Sequence, residues 1–100
     1  MIARSRAVGT LDDLRSYITD KLCLYDQLVP GAFPMSERLL VRGGKPCGMY
    51  FCLHGPRAVK YTAIWETQRS TILFYGPTGE RVERIQLDDA PDLAKMLPAQ

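Results

Sequence analysis

A cysteine, the single histidine and a lysine lie close together near the middle of the chain. In the segment Cys47-Gly-Met-Tyr-Phe-Cys-Leu-His54, Cys52 and His54 are two residues apart. On a β-strand this spacing places both side chains on one face, and Lys60 on the next segment would lie across from them. A neighbouring cation favours the thiolate, which is the nucleophilic form of cysteine. The three residues are weak catalytic candidates, because neither an orienting carboxylate nor a known nucleophile motif accompanies them.

The same segment lacks the pattern of a metal site. Strand alternation puts Cys47 on the opposite face from Cys52 and His54, whereas zinc ligands must converge on one point. Cys23 falls on a predicted helix and is expected to be an ordinary buried thiol. The sequence also lacks the glycine-rich and histidine motifs that hold nucleotides or catalytic zinc. We therefore expect no metal and no cofactor.

Aromatic and basic side chains in this region suggest a different kind of site. Tyr50 and Tyr75, together with Lys60 and Arg42, would place rings and cations on one sheet, an arrangement on which unpaired bases stack. The net charge of +2 and the pI of about 8.5 are modest for a nucleic-acid binder, and the ribonucleoprotein signature is missing. Single-stranded nucleic-acid binding is therefore kept as an alternative function.

A predicted β-hairpin positions these residues. Its two strands carry their apolar side chains at alternate positions, and these side chains must meet on one face. They do so if His54 pairs with Ala58, which leaves Gly55-Pro56-Arg57 as a bulged loop. The predicted core residues of the hairpin are Met49, Phe51, Leu53, Val59, Tyr61, Ala63 and Trp65.

The remaining elements predict an α+β fold in a single domain spanning residues 1–100. Apolar residues at steps of three and four predict a helix that Thr10 caps and that ends near Leu28. Residues 1–9 are expected to be a flexible arm. Further strands are predicted at 38–42, 71–75 and 81–87, with a bulge near Arg84, and a short helix at 88–97 with Asp89 as its cap. The N-terminal helix would thus pack on an antiparallel meander of about five strands.

The second face of this sheet is the surface most in need of an explanation. It would carry an apolar and aromatic patch, which is typical of an interaction surface. The sequence therefore favours a non-enzymatic interaction or regulatory module, with a homodimer or another protein partner on this face. In an equally weighted alternative, the C-terminal helix covers the patch. The expected binding residues are Arg42, Tyr50, Cys52, His54, Lys60 and Tyr75.

The composition and the thiols indicate where such a module would work. An odd number of cysteines at irregular spacing, with no signal-peptide pattern before them, is typical of a reducing cytoplasm. No apolar run reaches the ~18 residues that a membrane span requires, so no membrane association is expected. An enzymatic role is disfavoured but stays open.

Overall fold

The computed structural model describes residues 3–7, 9–89 and 91. Within these residues there are one α-helix and six strands, and the strands form one sheet in the order β1-β6-β5-β4-β3-β2. A short 3-10 helix at Pro56–Ala58 joins the third and fourth strands. The elements are β1 (Ala3–Ala7), α1 (Leu11–Tyr25), β2 (Met35–Arg42), β3 (Lys45–His54), β4 (Lys60–Glu66), β5 (Thr71–Tyr75) and β6 (Arg81–Asp89). The α+β class is confirmed.

Helix α1 begins where the sequence predicts. The Thr10 hydroxyl oxygen accepts a hydrogen bond of 3.0 Å from the backbone N–H of Asp13, which satisfies one of the free donors of the first turn. The helix ends at Tyr25 rather than near Leu28. Gln27 adopts a left-handed φ of 56°, which breaks the helical path before Pro30 is reached.

Strands β2 to β6 form the predicted antiparallel meander, and β1 adds to its far side. Strand β1 runs parallel to β6, with Ala3 paired with Ile85 and Ala7 with Asp89. The flexible arm predicted for residues 1–9 is thus a strand over Ala3–Ala7. Its sequence has no apolar alternation, but backbone hydrogen bonding to β6 does not require one.

The core lies between α1 and the first face of the sheet. The helix contributes Leu14, Ile18 and Leu22, which are fully buried. The rings of Tyr17 and Tyr25 meet Phe74 edge to face at centroid distances of 6.5 and 5.9 Å. The sheet contributes Met49, Phe51, Leu53, Tyr61, Ala63, Trp65, Ile72, Phe74, Ile85 and Leu87. The predicted hairpin face is therefore confirmed, except that Val59 is only partly buried.

The β3–β4 connection is longer than predicted. His54 pairs with Lys60 and not with Ala58, so Gly55 to Val59 form the loop. The observed β3–β4 register differs from the predicted one by two residues. A shift of two keeps every side chain on its face, so the apolar pattern cannot distinguish the two loops.

The end of the meander also differs from the prediction. Phe74 pairs with Glu83 and Tyr75 with Arg81, which leaves Val82 as the bulged residue, where the sequence predicts a bulge near Arg84. This bulge puts Glu83 in phase with the core residues of β6. Strand β6 continues to Asp89, so the predicted helix does not begin at residue 88. Apart from Pro91, the rest of that predicted helix lies outside the described residues. In the described part of the chain, no helix has the length and apolar character needed to cross a membrane.

Candidate functional site

One row of paired residues crosses the second face from β2 to β6. It runs from Arg38 on β2 through Tyr50, Ile64 and Leu73 to Arg84 on β6, each paired with the next. The two arginines are exposed and the three residues between them are half-buried. Four strand spacings separate the two arginine positions by about 19 Å. The row is therefore an apolar, tyrosine-bearing strip with a cation at each end.

A second row lies beside the first. It runs from Ser36 through Cys52, Thr62 and Tyr75 to Arg81. Cys52 is only 5% exposed, whereas Tyr75 is half-buried and Arg81 is exposed. Both predicted tyrosines thus lie on this face, one in each row. By strand geometry their backbones are about 12 Å apart.

The two rows are in contact at the Tyr50 ring. Burial raises the pKa of the Tyr50 phenol, the Cys52 side chain adds to the rise, and the Arg38 guanidinium opposes it. Arg38 is directly across from Tyr50 in the β2–β3 pair, and Cys52 is the next residue of β3 on the same face, so both lie beside the tyrosine. The second face is therefore a packed surface around Tyr50.

Cys52 and His54 lie two residues apart on β3 and share one face, as the sequence predicts, but their side chains have different surroundings. The Nε2 atom of His54 lies 2.9 Å from the Ser36 hydroxyl oxygen, across the β2–β3 pair. Lys60 is directly opposite His54. No hydrogen bond between Cys52 and His54 occurs among the described side chains, and Cys52 is buried where a nucleophile needs access. The geometry brings the three predicted catalytic candidates onto one face without arranging them for nucleophilic attack.

Arg42, the last predicted binding residue, lies apart from the tyrosines. It ends β2 and lines a groove of about 360 Å³ together with Leu40, Cys47, Ile64, Glu66 and Arg69. A smaller cavity of about 200 Å³ beside it shares Arg42 and Cys47 and adds Lys45. Because Leu40, Ile64 and Glu66 belong to the second face, the groove lies on that face, at the end next to the turn between β2 and β3.

A β-bulge and a glycine open this groove. Leu40 pairs with Gly48 but Val41 pairs with Pro46, so Cys47 is the extra residue and turns toward the groove. Cys47 is half-buried there, whereas strict strand alternation predicts it on the core face, opposite Cys52 and His54. At Gly48 a Cβ atom would lie 2.1 Å from the carbonyl oxygen of Trp65. Only glycine allows this approach, and its missing side chain leaves the face open between Leu40 and Glu66.

Charge is divided between the two sides of the molecule. Helix α1 with its C-cap Asp26 is acidic, and its two cations are tied to sheet carboxylates: Arg15 to Glu37 at 2.7 Å and Lys21 to Glu83 at 2.6 Å. The second face is basic. Its exposed cations are Arg38, Arg42, Lys60, Arg81 and Arg84, against the acids Glu66 and Asp88.

Sequence reasoning missed three of these cations. Arg81 and Arg84 join the face only once the β5–β6 register is known. Alternation alone could have identified Arg38, because it lies four residues before Arg42 on the predicted strand 38–42 and therefore shares its face. The signal for Arg81 and Arg84 is weaker, because the bulge at Val82 separates them.

Metal binding and known relatives give no further guide to the site. Among the side chains that the structure describes, no group of three or more histidine, cysteine or acidic residues is placed to hold a metal ion. Comparison with family models, with curated proteins and with solved structures found no match. The role of the second face must therefore be inferred from its own chemistry.

Proposed function

We propose that the protein is a non-enzymatic binding module and that its second sheet face binds single-stranded nucleic acid. The observation that carries the proposal is the arrangement of Arg38 and Arg84 at opposite ends of a strip that contains Tyr50. Nonspecific single-strand binders combine cations that follow the backbone with aromatic rings on which bases stack. Both parts are present on this one face.

The two tyrosines supply the stacking positions. Tyr50 and Tyr75 are half-buried, so part of each ring remains in contact with solvent. Between them Ile64 and Leu73 form an apolar floor on which a base can lie. With about 12 Å between the tyrosine backbones, two unstacked bases fit on the face without competing for the same ring.

The cations supply the contacts to phosphate. Arg38 and Arg84 flank the tyrosines, and the groove adds Arg42, Arg69 and Lys45 at one end. A nucleic-acid strand that crosses the face can therefore continue into a basic groove. The acidic residues of α1 are on the opposite side, which orients an approaching polyanion toward the sheet.

This charge pattern favours nucleic acid over a second copy of the chain on the same face. In a face-to-face dimer with aligned strands, either end of the strip would meet an arginine of the other copy, because both ends carry one. Like charges across an interface are unfavourable. The alternative that the C-terminal helix covers this face concerns residues outside the described part of the chain.

The cellular location belongs to the same proposal. Cys23, Cys47 and Cys52 are all free thiols, and free thiols are maintained in a reducing compartment. We place the protein in the cytoplasm on this basis, where single-stranded RNA is available as a ligand.

Binding of a fluorescently labelled oligonucleotide tests the proposal directly. We expect fluorescence anisotropy to report binding of a single-stranded oligomer at low salt and weaker binding of a duplex. Tyr50→Leu removes one stacking ring and should weaken binding roughly five- to 150-fold. Tyr50→Phe keeps the ring and should bind like the original protein.

Charge variants provide the second arm of the experiment. Replacing Arg38 and Arg84 together by Gln should reduce the slope of log affinity against log salt by about 1.4, which is ~0.7 for each lost phosphate contact. Arg57→Gln removes one charge outside the face and is the matched control. No binding at low salt, or equal loss in the Arg57 variant and the face variants, would contradict the proposal.

A further inference from the structure

Strand β2 forms one edge of the sheet. It is the last strand in the sheet order, and among the described residues it pairs with β3 alone. The carbonyl oxygen of Pro34 accepts a 2.9 Å hydrogen bond from the N–H of His54. Backbone direction alternates along a strand, so the backbone groups of Met35, Glu37, Leu39 and Val41 point away from β3. These groups form a regular row of donors and acceptors.

This edge lacks most of the devices that prevent strands from pairing. Sheet edges are normally protected by short strands, proline, charged side chains (especially lysine) or bulges. Strand β2 is eight residues long and contains neither proline nor lysine, and of these devices it carries only the charges of Glu37, Arg38 and Arg42. The bulge beside it belongs to β3, at Cys47, so β2 itself carries no extra residue. Val41 is 57% exposed and is one of the large apolar side chains that face solvent.

We propose that two copies of the chain pair through β2 in an antiparallel register centred on Leu39. In this register Leu39 lies opposite Leu39 of the second copy, and Glu37 lies opposite Val41. Each outward-pointing residue then donates and accepts one hydrogen bond across the twofold axis. The paired edges replace solvent-exposed backbone groups with a continuous ladder.

The charges of β2 select this register. With Leu39 at the centre, Arg38 lies opposite Leu40, and Ser36 lies opposite Arg42, so no like charges are paired. A shift by one pair in one direction sets Arg38 opposite itself. A shift in the other direction sets Arg38 opposite Arg42. Like charges directly across a strand pair are destabilising, so both neighbouring registers are disfavoured.

The register also fixes how the two copies are related. Residues that lie opposite each other belong to the same face of the sheet, so the twofold axis is perpendicular to the sheet. Both second faces then lie on one side, and both α1 helices on the other. The proposal rests on the geometry of the edge alone and does not depend on what the second face binds.

Opposite charges introduced at Val41 test both the dimer and its register. Sedimentation velocity from micromolar to millimolar concentration should show a monomer–dimer equilibrium for the unmodified chain. Val41→Glu faces Glu37 of the second copy and should weaken dimerisation about fivefold, whereas Val41→Lys should strengthen it about fivefold. A chain that stays monomeric at all concentrations would overturn the proposal. A change in the same direction for both variants would overturn the register.

A backbone variant separates the edge from other surfaces. Val41→Pro removes an N–H that points away from β3, so it should abolish pairing through β2. Val41→Thr keeps the N–H and the branched shape, and it should dimerise like the original chain. Far-ultraviolet circular dichroism and thermal melting establish that both variants fold. A dimer that persists in the folded proline variant would show that the copies associate elsewhere, against the proposal.

Discussion

At the scale of single residues, Tyr61 links the helix to the sheet. Its ring is 1% exposed within the core, and its hydroxyl donates a hydrogen bond to the Asp26 carboxylate at the C-cap of α1. This hydrogen bond and the burial of the ring raise the pKa of Tyr61 to about 12. The folded protein therefore holds the phenolic proton more tightly than the unfolded chain does.

Because the folded state holds this proton more tightly, the protein should lose stability at alkaline pH. The unfolded tyrosine has a pKa near 10.0 and the folded one a pKa of about 12, so the stabilisation is complete below pH 10 and is lost as the pH rises through 12. Tyr61→Phe should cost about 1 kcal/mol of unfolding free energy at neutral pH. It should also lose stability less steeply than the original chain between pH 10 and 12, as measured by urea unfolding.

For each protein, the loss of unfolding free energy between pH 10 and 12 is measured relative to that protein's own value at neutral pH. Tyr75→Phe removes the hydroxyl of a half-buried tyrosine on the second face of the sheet and serves as the matched control. An equally steep alkaline loss in the Tyr61→Phe protein would mean that Tyr61 does not carry the pH dependence.

At the scale of elements, the β3–β4 loop holds two residues in a conformation that disfavours side chains. Arg57 and Ala58 have φ values of 57° and 63°. Two backbone hydrogen bonds close the loop, from Gly55 N–H to the Val59 carbonyl at 2.8 Å and from Val59 N–H to the Pro56 carbonyl at 3.1 Å. A left-handed conformation costs a residue with a Cβ atom about 1–2 kcal/mol.

Removing one of these Cβ atoms should therefore stabilise the hairpin. Ala58→Gly relieves the left-handed strain but makes the unfolded chain more flexible, and the net gain expected is about 0.5 kcal/mol. Ala32 lies in another exposed turn without a positive φ, so Ala32→Gly should instead destabilise the protein by about 0.4–1 kcal/mol. Thermal and urea unfolding of the two variants should differ in sign, and a loss of stability in both would refute this account of the loop.

The same loop illustrates how far sequence patterns reach. Alternation assigns Phe51 and Trp65 to the core and Tyr50 to the second face, because burial depends on the parity of each position. Register depends on loop length, which parity does not encode, so His54 received the wrong partner. Strand β1 was missed for a different reason: the sequence Ala3–Ala7 carries no large apolar residue to indicate a strand, whereas its backbone pairs with β6. Arg81 and Arg84 were missed because their positions on the second face depend on the β5–β6 register, which the bulge at Val82 sets.

At the scale of the whole molecule, two ion pairs hold α1 over the sheet. The Arg15 guanidinium binds both carboxylate oxygens of Glu37, at 2.7 and 2.8 Å. Lys21 and the Tyr25 hydroxyl both reach Glu83, at 2.6 and 2.7 Å. These contacts neutralise the cations of the helix on the sheet's first face. Within residues 9–88, the remaining cations lie on the second face and in the turns.

The contacts of Glu83 should make the attachment of the helix sensitive to acid. Burial raises the pKa of Glu83, but the hydrogen bonds from Lys21 and Tyr25 outweigh burial and hold it below the ordinary value of 4.5. The stabilisation is therefore present above pH 4.5 and is lost as the pH falls through the lowered folded-state pKa. Glu83→Gln should cost about 1 kcal/mol at neutral pH and flatten the fall in stability below pH 5.

Asp20→Asn separates this local effect from a change in net charge. It removes the same charge from the exposed side of α1, so its loss of stability in acid should stay as steep as that of the original chain. Urea unfolding at neutral pH and at several values below 5 gives the slope for each protein. If Glu83→Gln and Asp20→Asn flatten the acid dependence equally, the effect comes from the overall charge of the acidic side. A flattening confined to Glu83→Gln assigns it to the one carboxylate that both Lys21 and Tyr25 contact across the helix–sheet interface.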